Sequence, residues 1–583
     1  MMEAAAAQRV DLSGSWTCRL DPEGVGAGMN WASENLDHPI QLPGSLDEAG
    51  LGEPPVCDPV LGGLSRKASY LGKAWMTRLC PLPPAGEDET LLLRIERAHW
   101  FIQPWIDGEP LEEKDSLSVQ QEWDLTPWQG REVRLTLVVD NTPRIPIGRI
   151  CHAITDWTQT NWNGVIGALE IVKAPHDSLS ASIKQTDAGL LIQGKAKPLA
   201  RVCLTIGASQ TVIEATADHR GSFQASLDEK ILPAWSDREP SLEAITIESD
   251  SQLLSLRHGC RTMTAKGKKL LLNGQPIFLR GTLECCVFPL TGYPSMEHGP
   301  WMKIMAKAKE YGLNHIRFHS WCPPEAAFVA ADEAGVILQV ELPLWTGKWP
   351  MSSDPKLMDF CRREAFKILD AYAHHPSFCL FTLGNEMAFY GEEPEVDQLL
   401  KDLKAAYPYV LFNFSSHGTH LSQDCDFYVQ ADNGRPGSEN LPLRGSTWFG
   451  VGSRFDRESP STMTVCDAAA AQFDRPVISH EVGEWAVFPR LAEIEKYSGV
   501  LQARNFEAIK MMLDERGMLD QAEDFTQASG QLSAQLYKEE IETLLRTKGL
   551  SGVQLLGLND FPGQGTATIG MLDAFWDEKG FIS

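Results

Sequence analysis

The chain has 583 residues, a formal net charge of −26 and a pI near 5.0, and at about 150 residues per domain this length predicts three or four domains. The excess of acidic residues argues against a nucleic-acid partner, because such binding depends on lysines and arginines that neutralise phosphates. No apolar run of about 18 residues occurs, and no basic stretch followed by an apolar one opens the sequence, so we expect neither a membrane-spanning protein nor a visible export signal.

The thirteen cysteines are scattered along the chain and include no C-x-x-C pair. This pattern is typical of reduced, buried thiols rather than of disulfides or a zinc ribbon. We therefore expect a cytoplasmic protein, or a periplasmic or secreted one if an export signal has been removed. The sequence is compatible with a homo-oligomer.

Residues 1–175 are predicted to form a β jelly roll. The runs Leu91–Ile95, Phe101–Ile106 and Val133–Val139 are short, rich in β-forming residues and separated by turn signals such as Asp107-Gly108. Their spacing suits a sandwich of antiparallel strands. A second β-rich stretch, residues 176–262, has the length of a small immunoglobulin-like sandwich, with strands expected near Arg201–Ile206 and Leu242–Ile247.

In residues 263–583 apolar strands alternate with helical segments, and glycines and prolines fall where helices should end or begin. This alternation predicts a (β/α)8 barrel. The predicted barrel strands are Ile277–Arg280, His315–Phe318, Ile337–Val340, Phe378–Leu383, Val410–Asn413, Phe427–Gln430, Pro476–Ser479 and Val553–Leu558.

Two of these strands lead directly to a glutamate: Glu386 follows Phe378–Leu383, and Glu481 follows Pro476–Ser479. The carboxyl ends of barrel strands meet at the rim where barrel enzymes act. Two carboxylates about 5–5.5 Å apart are what a retaining glycosidase needs, one as nucleophile and one as acid and then base. A surface position is the ordinary explanation for one glutamate in so acidic a chain, but two in this setting favour catalysis.

We assign Glu386 as the acid/base, because the adjacent Asn385 can bind a sugar hydroxyl while Glu386 reaches the glycosidic oxygen. Its pKa should be raised while the second carboxylate is charged. Glu481 is then the nucleophile and must stay ionised. Arg280 and Arg317, placed at the ends of the first two predicted strands, are the expected donors to it. This chemistry requires no metal or organic cofactor.

Several motifs together resemble glycoside hydrolase family two, the group of β-galactosidases, β-glucuronidases and β-mannosidases. They are DLSGSW (Asp11–Trp16), LPGSLDEAG (Leu42–Gly50), ASYLGKAWMTR (Ala68–Arg78), WNGVIG (Trp162–Gly167), GCRT (Gly259–Thr262), LLLNGQPIFLRG (Leu270–Gly281), NHIRFHS (Asn314–Ser320) and LGNE (Leu383–Glu386). The resemblance implies a jelly roll, an immunoglobulin-like sandwich and a (β/α)8 barrel in that order. It also implies the same roles for Glu386 and Glu481.

The resemblance further implies that a loop of the first domain reaches over the barrel mouth, where Asp156 and Gln159 would close one side of the sugar site. Other candidate substrate contacts lie at or near predicted strand ends, and each could equally serve a structural hydrogen bond. They are Glu284, His319, Glu341, His480 and Asp560. Trp485 is a candidate to stack on a sugar ring, with packing in a loop as its alternative role.

We therefore expect a retaining, exo-acting β-glycosidase that acts on an oligosaccharide or glycoside and is most similar to a β-galactosidase. Two alternatives remain open. One is a β-glucuronidase or another β-glycosidase of the same family, because Glu386 is followed by Met387 and the run after Gly281 departs from that of many β-galactosidases. The other is a non-catalytic carbohydrate-binding protein on the same scaffold, which fold alone does not exclude.

Overall fold

The computed structural model describes residues 8–54, 63–155, 157–186, 189–207, 209–228, 231–250, 252–347, 351–387, 393–418, 421–431, 442–445, 459, 461–564 and 568–582, together with the backbone of 2–3. In this part of the chain two β-sandwiches precede a barrel. No helix among these residues is both long and apolar enough to cross a membrane.

The first sandwich consists of two antiparallel sheets that enclose an apolar core containing Trp16, Leu93, Leu135 and Ile171. The alternation of apolar and polar residues along the strands turns one face of each sheet inward. The first sheet runs in the order Glu109–Pro110, Phe101–Ile106, Glu132–Asp140, Lys73–Pro81, Gly14–Asp21 and His38–Leu42. The second runs Gln121–Asp124, Glu89–His99, Gly164–Pro175 and Gln8–Asp11, with Gly44–Ser45 paired to Gly164–Pro175.

The second sandwich packs two four-stranded antiparallel sheets around a core that includes Ile192, Leu204 and Ile247. One sheet has the order Met2–Glu3, Ser180–Thr186, Gly189–Lys195 and Ser222–Leu227, and the other Thr211–Thr216, Arg201–Ile206, Glu243–Ser249 and Gln252–His258. The start of the chain thus pairs with the second sandwich. A small antiparallel sheet, Met263–Lys266, Lys269–Leu272 and Gln275–Ile277, connects this sandwich to the barrel.

The barrel strands are parallel throughout, and the fourth and fifth are each interrupted by a bend. Because both segments of the fourth strand pair with the fifth, the sheet closes on itself. In chain order the strands are Leu279–Glu284, His315–Phe318, Ile337–Glu341, Phe378–Thr382 with Asn385–Met387, Leu411–Asn413 with Ser416–Gly418, Tyr428–Gln430, Val477–Val482 and Leu550–Leu555. The predicted fold class is confirmed.

Helices surround the barrel, and local sequence sets several of their ends. Asp354 caps one N-terminus by accepting a hydrogen bond from the Leu357 N–H, and Gly335 ends another helix in the left-handed conformation. The α-helices are His298–Glu310, Glu325–Ala334, Pro355–Tyr372, Pro394–Ala406, Asp467–Ala471, Arg504–Glu515 and Ala522–Arg546. Short 3-10 helices are Trp31–Ser33, Thr126–Trp128, Met351–Ser353, Leu491–Lys496 and Leu519–Gln521, and a two-stranded ribbon joins Ser65–Arg66 to Leu501–Gln502.

The first barrel strand differs from its prediction. The segment Gln275–Ile277 belongs to the small connecting sheet, and the barrel strand runs from Leu279 to Glu284. The connecting hairpin uses the same apolar, β-forming residue types as a barrel strand, so the sequence pattern did not separate the two. This shift of register moves Arg280 away from the catalytic end of the strand.

Candidate active site

Glu386 and Glu481 lie together at the mouth of the barrel. One oxygen of each carboxylate and one ring nitrogen of His480 all lie within 4.8 Å of one another. Both glutamates have left-handed backbone conformations, with φ of 38° and 50°. Such conformations are uncommon for residues other than glycine and cluster at functional sites.

The carboxylate of Glu481 is only 6% exposed and has positive or hydrogen-donating groups around it. Its Oε1 lies 3.0 Å from Nε2 of His480, 3.5 Å from Nη1 of Arg317 and 3.5 Å from Nε2 of His319, and its Oε2 lies 3.7 Å from Nη1 of Arg444. Burial alone would raise the pKa of Glu481, but His480, His319 and Arg317 together hold this pKa well below its usual value. Glu481 is therefore ionised.

The pKa of Glu386 is shifted in the opposite direction. Burial and the negative charge of Glu481 raise the pKa of Glu386, and the opposing effects of Arg444 and Arg317 are smaller. Two neighbouring carboxylates therefore differ in protonation: Glu386 keeps its proton at a pH at which Glu481 is charged. A pair of acids whose pKa values are driven apart in this way can divide the roles of proton donor and nucleophile.

Arg317, on the second barrel strand, links Glu341 to Asn385. Its Nε donates to Oε1 of Glu341 at 2.6 Å, and its Nη2 donates to Oδ1 of Asn385. Glu341 is held in turn by the Ser320 N–H at 2.6 Å and by the Ser416 hydroxyl at 2.5 Å. The side-chain carbonyl of Asn385 accepts from Arg317, whereas the buried Nδ2 of Asn385 has no hydrogen-bond partner among the described residues. This Nδ2 can therefore donate to a substrate.

A loop of the first sandwich reaches the barrel mouth and places His152 there. The ring of His152 stacks on His319 with centroids 4.1 Å apart, and Trp345 lies beside both rings. The His152 N–H donates to the Ser320 hydroxyl at 2.8 Å. Nearby, an added Cβ at Gly148 would come within 1.7 Å of the Trp345 carbonyl oxygen, so this close approach of the two domains requires glycine.

Comparisons with known proteins were made by sequence and by structure. No family model matches the chain. A β-galactosidase of Leuconostoc mesenteroides is 24% identical over 206 residues, 34% of this chain and 20% of that protein. A β-galactosidase of Lactococcus lactis is 24% identical over 231 residues, 37% of this chain and 23% of that protein. The matched segments thus span less than a quarter of these curated relatives.

The structural likeness extends over the whole chain. A β-glucuronidase from an uncultured Clostridium sp. has a TM-score of 0.71 at 15% identity, with 100% of this chain and 97% of that chain covered. A Lactobacillus rhamnosus β-glucuronidase has a TM-score of 0.69 at 17% identity, with 98% and 95% covered. The resemblance to glycoside hydrolase family two is confirmed. At these identities the structures show a shared fold, and the curated names agree with the predicted class, glycoside hydrolase.

Four of the predicted contact residues lie at this site: Arg317, His319, Glu341 and His480, around the pair formed by Glu386 and Glu481. Asn385 joins them through Arg317. Their catalytic or binding roles stay predictions.

Arg280 is a correction. It is the second residue of the strand Leu279–Glu284, its side chain is exposed, and its Nε donates to the Gly312 carbonyl at 2.8 Å. It therefore lies at the amino-terminal end of the strand, opposite the rim where Glu481 lies, and does not donate to that carboxylate.

Asp560 is also placed differently, in a separate buried group of charges. Its Oδ2 lies 2.6 Å from Nζ of Lys579, and its Oδ1 accepts from the Gly570 N–H at 2.7 Å. These protein contacts explain Asp560 as a structural ion pair.

Glu284, Trp485 and Gln159 all make protein contacts. The buried Oε2 of Glu284 accepts from the Cys286 N–H at 3.1 Å, and burial raises the pKa of Glu284 to about 8. The Trp485 indole donates to Glu540 at 2.8 Å, which fixes it against the helix Ala522–Arg546. Gln159 presents its backbone carbonyl to Arg66. Asp156 lies outside the described residues.

Four residues at the site were not predicted from the sequence: His152, Trp345, Arg444 and Glu484. Arg444 lies between the carboxylates of Glu481 and Glu484. All four lie in loops, where no periodicity marks a side chain that faces a site. For His152, the polar and aromatic run from Thr155 to Gly164 was a signal that this loop is unusual, but the histidine just before it was not singled out.

Proposed function

We propose that this protein is a retaining, exo-acting β-glycosidase that removes a terminal neutral sugar, with β-galactosides as the expected substrates. The observation that carries the proposal is the pair formed by Glu386 and Glu481. An oxygen of one lies within 4.8 Å of an oxygen of the other, close to the spacing of about 5–5.5 Å in retaining enzymes and short of the about 6.5–9.5 Å that leaves room for a water in inverting ones.

In the first step, the ionised Glu481 attacks the anomeric carbon while Glu386 gives its proton to the glycosidic oxygen. The aglycone leaves, and the sugar is held as an ester of Glu481. Formation of this ester removes the negative charge that raised the pKa of Glu386, so Glu386 becomes the better base. It then takes a proton from the water that hydrolyses the ester, and both groups return to their initial states.

Surrounding groups support these steps. Arg317 and Arg444 keep Glu481 charged, and the Nδ2 of Asn385 is available to a sugar hydroxyl. The rings of His152, His319 and Trp345 pack against one another at the mouth, which supports a site that accepts only a chain end. Burial lowers the pKa of both His152 and His480, so these groups are neutral.

The choice of a neutral sugar depends on the direction of the two arginines that line the described part of the site. Arg317 faces Glu341 and Glu481, and Arg444 faces Glu481 and Glu484. Both guanidinium groups therefore already face protein carboxylates, whereas a glucuronide needs a cation for its own carboxylate. A β-glucuronidase is the second candidate, because the structural neighbours named above carry that name.

The test is hydrolysis of a panel of 4-nitrophenyl β-glycosides: galactoside, glucoside, mannoside and glucuronide. We expect the galactoside to be cleaved, and Glu481→Gln to lower kcat by on the order of 10⁴-fold or more because the nucleophile is lost. The matched control is Glu310→Gln, the same chemical change at an exposed residue, and it should keep full activity. Glu310→Gln should melt at nearly the wild-type temperature, and the circular dichroism spectrum of Glu481→Gln should show that it is folded.

The stereochemistry provides a second measurement. With azide, Glu481→Gly should convert a β-glycoside into the α-glycosyl azide, because azide attacks from the side that the missing carboxylate occupied. Cleavage of the glucuronide alone would favour the second candidate. If the wild type cleaves none of these substrates yet binds the free sugars, the protein is a carbohydrate-binding protein and the proposal fails.

A further inference from the structure

Outside the barrel sheet, two histidines and a glutamate converge between two helices. Glu325 is the first residue of the helix Glu325–Ala334, and His374 and His375 follow the helix Pro355–Tyr372. One potential ligand atom from each of Glu325, His374 and His375 lies within 4.8 Å of those of the other two. None of the three takes part in the chemistry of Glu386 and Glu481.

His375 has the surroundings of a metal-binding histidine. Its Nδ1 lies 2.6 Å from Oδ2 of Asp332, and its ring stacks on Phe328 with centroids 5.3 Å apart. The side chain is buried, with only 7% exposed, and its Nε2 has no hydrogen-bond partner among the described residues. A carboxylate on Nδ1 fixes the tautomer with its lone pair on Nε2, as carboxylates do behind zinc-bound histidines.

His374 presents a second nitrogen of the same kind. The Ala371 backbone hydrogen-bonds its ring, and the buried Nε2 has no partner in the part of the chain that the structure describes. Its ring lies against that of His375, with centroids 4.2 Å apart.

Glu325 completes the set with a movable anionic ligand. Glu325 is exposed, so its side chain can rotate toward the two histidines from the solvent side. Ligands about 2.0–2.1 Å from a tetrahedral Zn²⁺ lie about 3.4 Å apart, so binding requires only a small inward movement. Two imidazoles and one carboxylate form a donor set that zinc accepts.

We propose that Glu325, His374 and His375 form a Zn²⁺ site with water as the fourth ligand. The ion joins the start of one barrel helix to the end of the next. Asp332 is a positioning residue that orients His375. Because the site is separate from Glu386 and Glu481, the proposal does not depend on the glycosidase assignment.

The test is titration of the full-length, chelator-treated protein with Zn²⁺ alone, followed by calorimetry and by the rise in melting temperature. We expect one ion per chain, and Co²⁺ in its place should give the visible absorption of a tetrahedral site. Glu325→Gln and His374→Gln should each weaken binding at least about tenfold, and Asp332→Asn about 10–100-fold. Glu325 is exposed, so its variant is expected to fold.

Two controls locate the ion. His298→Gln changes an exposed histidine that pairs with Glu333 and should leave Zn²⁺ affinity unchanged. Glu481→Gln removes a member of the other close carboxylate and histidine group and should also leave it unchanged. Loss of the bound ion in Glu481→Gln but not in Glu325→Gln would place zinc in the active site and overturn the proposal. A wild type that takes up no Zn²⁺ would overturn it equally.

Discussion

Two groups of buried charges in the barrel domain have different architectures. At the mouth, Glu386 and Glu481 face each other, and the pKa of one is raised while that of the other is lowered. In the C-terminal segment, Asp560 is paired with Lys579, and Asp573 with Lys496. Both groups are buried and both carry carboxylates. Burial of charge alone therefore does not mark a catalytic site.

The difference lies in how neighbouring charges shift the pKa of each carboxyl group. Asp560 has a lysine on one oxygen and the Gly570 N–H on the other, and burial with a like-charged neighbour raises the pKa values of both Asp560 and Glu493. At the mouth the two shifts are opposite, because the pKa of Glu386 is raised and that of Glu481 is lowered. A like-charged pair costs stability in both groups, but a pair whose pKa values are driven apart can divide the roles of acid and nucleophile.

The largest expected effect that tests this comparison concerns proton transfer by Glu386. Glu386→Ala should slow β-glycosides with poor leaving groups by about 10²–10⁴-fold, because only these need a proton on the departing oxygen. Substrates with good leaving groups, such as dinitrophenyl glycosides, should cleave at close to the wild-type rate in the first step. The measurement is kcat/KM against leaving-group pKa. Equal losses on both kinds of substrate would contradict the assignment of Glu386 as the acid.

The second expected effect is a loss of folding stability when a cation of the C-terminal group is removed. Lys579→Met leaves Asp560 buried without its cation, and we expect a loss of about 3–5 kcal/mol in unfolding free energy. The activity of the folded enzyme should not change. Lys303→Met is the matched control, because Lys303 pairs with Asp577 at the surface and such pairs contribute about 0–1 kcal/mol. Denaturant unfolding and kcat are the measurements.

The activity of Lys579→Met also tests the prediction that Asp560 contacts substrate. If Lys579→Met lowered kcat/KM at unchanged stability, the C-terminal group would act in catalysis and the contrast between the two groups would fail.

Much of the fold could be predicted because the relevant signals are local. The strands Phe101–Ile106, Arg201–Ile206 and His315–Phe318 were predicted with the bounds that the structure has. Each combines β-forming residues with clear turn signals. The end of the helix Glu325–Ala334 also has a local signal, because the left-handed Gly335 follows it.

Only the site residues that lie at or near the ends of strands could be predicted from the sequence. Glu386 and Glu481 were found because a buried strand leads to each, and the barrel then brings its strand ends together. Arg280 was misplaced because a hairpin that precedes the barrel looks like a barrel strand in sequence. His152 and Arg444 were missed because their positions depend on long loops that fold against distant parts of the chain, and no local pattern encodes that packing.

The smallest expected effect is a shift in the pH dependence of kcat/KM, which should occur when Arg317 is replaced and not when Arg280 is replaced. The basic limb should follow loss of the proton from Glu386, whose pKa is raised, and the acid limb should follow protonation of Glu481, whose pKa is lowered. The charge of Glu481 likewise stabilises the fold above the carboxyl's unfolded pKa, and this contribution is lost as the pH falls through the folded one. Arg317→Gln removes a cation that holds that pKa down, so the acid limb should move to higher pH. Arg280→Gln should leave both limbs in place, and a matching shift in this variant would return Arg280 to the site.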